Sequence, residues 1–398
     1  MGSQRVALMM RPITAVIRSI LIGTVLITMA LLFSPQRAEA MPMFARKYHL
    51  KCEQCHTIMP RLTNFGYAFY RAGFRLPGHK KYPLTFSNSA SLMTEMMFTN
   101  SNPAGNTGFD MSDTEIQVLT AIGEHFSTHL HYVFPGSTNG AEIHQAWVQY
   151  NTAPTGAFWS FRAGQFSPII GFRFGGDRNW TITDAQLYGT LPGQERGVDV
   201  GYTDKGLTTH LSWLNGVDAS AVDAIGSGRQ ALSGHRAQDY MLQSEYEIGK
   251  LGSSIGGLYY HGVIPGGGVY PYTTTSDIFN RSAIYGNWAT VLKSGSTPGI
   301  PDLSLDINGG ALWGHDDGGS GPTGNTYGSL LELDLNYKHR SALAMRYDNL
   351  NGTGQPTIEE YTFDAAHLIN NHVLLRLEYN KIRKPSADQF TADLWFFY

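Results

Sequence analysis

Cysteine is nearly absent from this chain of 398 residues, which has two, Cys52 and Cys55. A disulfide framework is therefore excluded. So is a structural zinc site, which needs four protein ligands, because no second Cys or His pair follows at the usual distance. Charge is sparse as well: 15% of residues are charged, and Lys and Arg (29) do not outnumber Asp and Glu (32). That balance gives no basis for nucleic-acid binding. Beyond position 40 no stretch approaches 18 apolar residues, so no transmembrane helix is expected. Helical periodicity is scarce throughout.

What is present begins with an export signal. Arg5, Arg11 and Arg18 precede the apolar run Ile20 to Phe33, and Ala38-Glu39-Ala40 fits a small-x-small cleavage site. Residues 1–40 read as a secretory signal peptide cleaved after Ala40. Removing its four arginines and one glutamate from the 29 basic and 32 acidic residues leaves 25 and 31, a net charge of −6.

Both cysteines fall in Lys51-Cys-Glu-Gln-Cys-His56. Cys-x-x-Cys can be a redox dithiol, half of a zinc site or, with His next, the attachment site of a c-type haem. No βαβ unit surrounds it, as a thioredoxin-like dithiol requires. In the haem reading every residue is used. Cys52 and Cys55 form thioethers to the vinyl groups, and His56 is the proximal iron ligand. Residues 41–83 form a segment too small to fold without a staple, and one covalent haem c is such a staple. A helix should follow the motif, with Pro60 in its first turn, Phe65 and Phe69 on one face beside Leu62, and Gly73 ending it. For the sixth iron position His79 is favoured. Met43 and the lumen-facing His129, His131 and His210 are the other candidates, as is a vacant site, while His49 and Met59, each three residues from the motif, fall on the proximal side.

After Pro83 the pattern is alternation, the period of a strand with two unlike faces. Leu331, Leu333, Leu335 and Tyr337 oppose Glu332, Asp334 and Asn336. Val373, Leu375, Leu377 and Tyr379 oppose Arg376, Glu378 and Asn380. The expected fold class is all-β: residues 84–398 form a transmembrane antiparallel β-barrel of about 16 strands, apolar side out, with the helical haem segment plugging its lumen at the periplasmic mouth. Strands are expected at 84–98, 113–126, 127–135, 141–152, 157–168, 195–203, 206–215, 236–249, 251–264, 278–293, 301–314, 326–338, 341–350, 357–368, 371–382 and 388–398. Every second connection is tight, and the others are longer and rich in Gly and Ser. The alternation breaks around His144 to Val148. The long 169–194 segment, with Gly175-Gly176 and Trp180, is a candidate to fold inward and narrow the lumen, and His315-Asp316-Asp317 is an oxygen and nitrogen cluster in an outer loop. The last strand ends on Phe396-Phe-Tyr398, which resembles the assembly signal of outer-membrane proteins.

The segment MPMFARKYHLKCEQCHTIMPRLTNFGYAFYRAGFRLPG, Met41 to Gly78, resembles the amino-terminal part of the outer-membrane cytochrome–porin fusions. The shared pattern is Phe-Ala-Arg, Cys-x-x-Cys-His, Pro-x-Leu, Phe-Gly-x-x-Phe and Gly-Phe. The family includes the monohaem proteins with which iron-oxidising bacteria take electrons from extracellular Fe(II). The resemblance implies a haem c on Cys52, Cys55 and His56 in a Gram-negative outer membrane, and electron transfer from extracellular Fe(II) or another redox metal to a periplasmic c-type cytochrome or other carrier. Considered as an enzyme, the chain would be an Fe(II):cytochrome c oxidoreductase. Two alternatives stand beside this: outward transfer to extracellular acceptors, and a solute porin with a haem plug or sensor. The family's Phe-Gly-Arg is Phe65-Gly66-Tyr67 here.

Overall fold

The computed structural model describes residues 42–76, 85–102, 105, 107–134, 142–153, 156–168, 181–182, 191, 194–215, 239–249, 253–264, 277–295, 301–317, 323–352, 357–383 and 386–398. The expected signal peptide, His79, Gly175, Gly176 and Trp180 lie outside the described residues.

The amino-terminal segment contains three short helices, α1 (Pro42–Tyr48), α2 (Cys52–Cys55) and α3 (Asn64–Arg71). Two minimal strands, β1 (His56–Ile58) and β2 (Arg61–Leu62), pair between α2 and α3. Thr63 caps α3 by accepting from Gly66 N at 3.1 Å, as an N-cap hydroxyl does. The other end closes on Gly73, at φ +69°. Gly73 N donates to Tyr70 O and Phe74 N to Phe69 O, the paired bonds of a Schellman motif. Pro60 is not in the helix; it sits in the turn between β1 and β2, and the helix starts four residues later at Asn64.

A further short helix, α4 (Phe86–Ser89), leads into sixteen strands. They are β3 (Ala90–Asn102), β4 (Thr107–Ile122), β5 (Phe126–Val133), β6 (Glu142–Asn151), β7 (Phe158–Phe166), β8 (Glu195–Asp204), β9 (Leu207–Leu214) and β10 (Asp239–Ile248). The round continues with β11 (Ser253–Ile264), β12 (Asp277–Lys293), β13 (Leu303–Asp316), β14 (Gly324–Tyr337), β15 (Ser341–Asn351), β16 (Ile358–Asn370), β17 (Val373–Ile382) and β18 (Ala387–Phe397). Each pairs antiparallel with its chain neighbours, and β18 closes on β3, from Asp388↔Asn102 to Phe397↔Met93. Closure leaves no edge, which is the condition for a sheet in a membrane.

The exterior settles which face of the alternation points outward. Leu331 and Leu335 on β14 are exposed, while Glu332, Asp334 and Asn336 between them are buried. Ile284 on β12 and Leu343 on β15 are likewise outward and more than half exposed. A water-soluble barrel buries the opposite set; apolar side out and charge inward is the arrangement for a lipid surround.

Tight turns gather at one end, as between Asp204 and Leu207 or Tyr337 and Ser341. The start of β3 and the end of β18 share that end, where Leu92 and Tyr398 exchange backbone hydrogen bonds of 2.8 Å. Two strand boundaries depart from the expectation by more than four residues. The first strand starts at Ala90 because 86–89 is helical, and β4 begins at Thr107 rather than 113. A register shift opposite Glu95–Met97 interrupts the alternation there and hides the early part of β4.

Candidate functional site

The amino-terminal segment lies inside the barrel, against the ends of the strands that carry the tight turns. Arg75 Nη1 donates to Gly123 O at 3.0 Å, and Arg46 Nη2 to Ala90 O at 3.3 Å. His339 Nδ1 lies 2.8 Å from Thr57 O. Met59 packs among Ala342, Leu368, Leu374, Trp395 and Phe397 of the inner wall, with Cys52 against the same group. Gln149 Nε2 and Asn151 Nδ2 donate to Arg71 O and Ala72 O at 2.8 and 2.9 Å. Phe74 stacks on Trp147 of β6 with ring centres 6.3 Å apart.

Arg61 makes the strongest of these attachments. Its guanidinium, buried, meets Glu332 at 3.2 Å and contacts Asp334 and Asn308 more closely still. Burial alone would ease its proton away, but Asp334 and Glu332 raise its pKa above the ordinary arginine value. A buried charge is tolerated when it is paired and hydrogen-bonded in this way. The wall continues the network: Arg346 pairs with Asp348 at 2.7 Å and Glu360 at 3.3 Å, and Arg376 with Glu95 at 3.1 Å and with Asp393. Among the described residues of the 169–194 segment, Ile182 N donates to Glu378 at 2.6 Å and Thr181 accepts from Arg346. Those partners stand on β17 and β15, across the barrel from β7 and β8, so Thr181 and Ile182 lie in the lumen.

Within the segment, Cys52, Cys55 and His56 are brought together. Spacing of three on one helical turn puts both sulfurs on one face of α2; neither is in a disulfide, and both residues are half-buried. His56 is buried, and its Nδ1 lies 3.1 Å from Pro60 O. With Nδ1–H donating to that carbonyl, Nε2 is the nitrogen with a lone pair, the arrangement seen when a histidine is oriented for a metal by its other nitrogen. Burial lowers the His56 pKa to about 4, so the ring is neutral, as a ligand must be. Burial, then the neighbouring Cys52, pushes the Cys55 thiol up to about 12. Helix α3 backs the motif at van der Waals limits, since a Cβ on Gly66 would fall 2.2 Å from Cys55 O. Phe65, beside Gly66, presents a ring that is 41% exposed while Phe69, one turn on, is buried. Two thiols, one oriented imidazole and an uncovered aromatic beside them fit a haem c.

Of the other residues considered for the sixth position, Met43 is buried with Phe44, Tyr48, Phe69 and Leu119. His129 faces Phe74 and Trp147 at ring distances of 5.9 and 5.4 Å. His210 Nδ1 pairs with Asp199 at 2.8 Å. Met59 alone among these shares a packed group with Cys52. Of the cluster expected in an outer loop, His315 and Asp316 instead close strand β13, where Asp316 pairs with Arg281 at 2.7 Å, and His315 lies 3.4 Å from the exposed Asp317. Arg61 carries no local signal in the sequence, because its partners come 247 to 273 positions later.

No protein-family model matches the chain, and no curated protein does. Solved structures match its barrel. The fold is shared; the sequence is not. Outer-membrane OmpT of Vibrio cholerae, folded in vitro, superposes with a TM-score of 0.54 at 10% identity, over 78% of this chain and 98% of that one. OprB of Pseudomonas putida gives 0.52 at 11%, over 78% and 93%. The outer-membrane channel DcaP of Acinetobacter baumannii gives 0.52 at 9%, over 78% and 96%. The chain therefore has the fold of a porin-like outer-membrane β-barrel.

Proposed function

We propose that this chain is an outer-membrane electron-transfer protein, a haem-bearing segment held in a porin-like barrel. The observation that carries the proposal is the placing of Cys52 and Cys55 on one helical turn with His56 directly after it, its Nδ1 on Pro60 O, in a segment seated inside the barrel. A haem c bound there supplies a one-electron site for moving electrons from extracellular Fe(II) to a periplasmic c-type cytochrome or other carrier. The chain's own part is to orient and keep neutral the His56 ring, and to hold the segment with Arg61, Arg71 and Arg75 on wall acceptors. Thr181 and Ile182, reaching the opposite wall, and an apolar group including Phe166, Leu214, Met241 and Tyr260 also occupy the lumen, which supports a conduit for electrons over a passage for solutes.

The decisive measurement is a stopped-flow spectrum of the purified, oxidised holoprotein mixed with Fe(II). Appearance of a reduced α-band, lost in Cys55→Ala, is the expected result. Reduction by dithionite alone, with reoxidation by ferric or manganese oxides, assigns the outward direction instead. The porin fold favours a second reading, a solute channel with a plug; solute flux through the holoprotein and no haem band would establish it.

A further inference from the structure

We propose that Glu115, His131 and His144, on adjacent strands β4, β5 and β6, form a binding site in the lumen for a divalent first-row transition ion. All three are buried, and one ligand atom from each lies within 4.8 Å of the others. Among the described residues no other group of three His, Cys, Asp or Glu side chains meets that condition. Two imidazoles and a carboxylate are a donor set suited to Fe(II) and Zn(II), and ill-suited to Ca(II) or Mg(II), which prefer oxygen.

The arrangement is built by an irregularity rather than by regular strand geometry. On β5, His129 and His131 face inward two apart, as alternation demands. On β6 the register shifts, Tyr132 pairing with Ile143 but His131 with Gln145, so His144 is the extra residue of a bulge. Both His144 and Gln145 are consequently buried, although consecutive strand residues should face opposite ways. This is the break in alternation visible at His144 in the sequence, and re-aiming a side chain is a recognised use of a bulge. It brings the His144 ring to 4.8 Å from that of His131, nearly at right angles.

A simpler role is an ion pair, since His131 Nε2 meets Glu115 Oε2 directly. A pair of that kind needs no third member, and the bulge supplies one. Gln117 Nε2 donates to Glu115 Oε1 at 2.8 Å, leaving Oε2 for the imidazoles. An outer hydrogen bond that orients a carboxylate is the usual support of a ligand. Donors around a bound ion at roughly 2.1 Å stand about 3–3.5 Å apart, so small side-chain rotations close this group on one. The site also touches the haem-motif segment ring by ring: His131 stacks on His129 at 6.2 Å, and His129 meets Phe74 at 5.9 Å. The proposal does not rest on the haem reading.

The test is calorimetric titration of the chelator-treated holoprotein with Zn(II), with elemental counting after desalting. One Zn(II) per chain is expected. His131→Ala and His144→Ala each weaken it at least about tenfold, while His129→Ala leaves it unchanged. X-ray absorption at the zinc edge of the wild type, loaded with one equivalent, should show two imidazoles and needs no variant to fold. A Cys52→Ala/Cys55→Ala double variant should keep the zinc and lose any haem, so the two readings fail separately. Absence of a zinc equivalent in the wild type, its persistence in the His131→Ala/His144→Ala double variant, or a coordination shell without imidazole overturns the assignment.

Discussion

Gln149 Nε2 donates to Arg71 O at 2.8 Å, so a side chain of the barrel wall completes the end of a helix inside the lumen. The last four carbonyls of that helix are all accounted for. Phe69 O and Tyr70 O are taken by the Schellman bonds, and Arg71 O and Ala72 O by Gln149 and Asn151. Helix ends otherwise leave such carbonyls unmet. The wall thus finishes the secondary structure of the segment as well as touching it.

Asn151→Ala should loosen that end. The substitution leaves Ala72 O without its donor and removes the acceptor of a second Gln149 bond. An orphaned buried group costs about 1–3 kcal/mol. Limited proteolysis should then cut the amino-terminal segment roughly tenfold faster or more, with the barrel intact. Equal rates would mean that the segment is held elsewhere.

Arg61→Ala should act more strongly. It strands Glu332 and Asp334 beside a space where their cation stood, and breaking a buried pair typically costs about 3–5 kcal/mol. Release of the segment should appear in planar bilayers as larger and more frequent conductance steps. Arg61→Lys should rescue only in part, because two guanidinium nitrogens serve Glu332, Asp334 and Asn308 together. Unchanged conductance in Arg61→Ala would show that this network does not hold the segment.

Gly66→Ala tests the packing of α3 on the cysteine helix. A Cβ at 2.2 Å from Cys55 O forces the helices apart, whereas at Gly108 nothing lies within 4 Å of the added atom. Overpacking of this kind costs roughly 1–3 kcal/mol. The haem-to-protein absorbance ratio should fall in Gly66→Ala and stay unchanged in Gly108→Ala. Full loading in both would mean that α3 takes no part in shaping the site.

The strands are legible in the sequence because alternation is a local property, and most ends fall within a few residues of their expected places. Where alternation fails, legibility fails with it: the early part of β4 is hidden beside a register shift, and Pro60 resembles the start of a helix that Thr63 in fact caps. The cysteine motif is legible for the same local reason. Arg61 is not, since a pairing across 271 residues leaves no trace in the spacing of either partner. His144 falls between these cases, a visible break whose meaning depends on Glu115 and His131 coming beside it.

Ile284→Arg tests the lipid surround itself. Ile284 lies near the middle of β12, points outward and is 57% exposed, with Gly257 and Ala311 as its cross-strand neighbours. If the exterior faced water, an exposed arginine there would be close to neutral, within about 0.5 kcal/mol. Facing hydrocarbon at mid-depth, it should cost about 2–4 kcal/mol. Lys293, at the end of the same strand and 67% exposed, shows that a cation is accommodated at the rim. Leu292→Arg, also outward at 53% exposed and closer to that rim, should therefore cost less than Ile284→Arg. Reversible unfolding from lipid vesicles in guanidinium measures both. A graded loss, larger at Ile284, is what a membrane-spanning wall requires, and two near-zero values would mean that the wall does not face lipid.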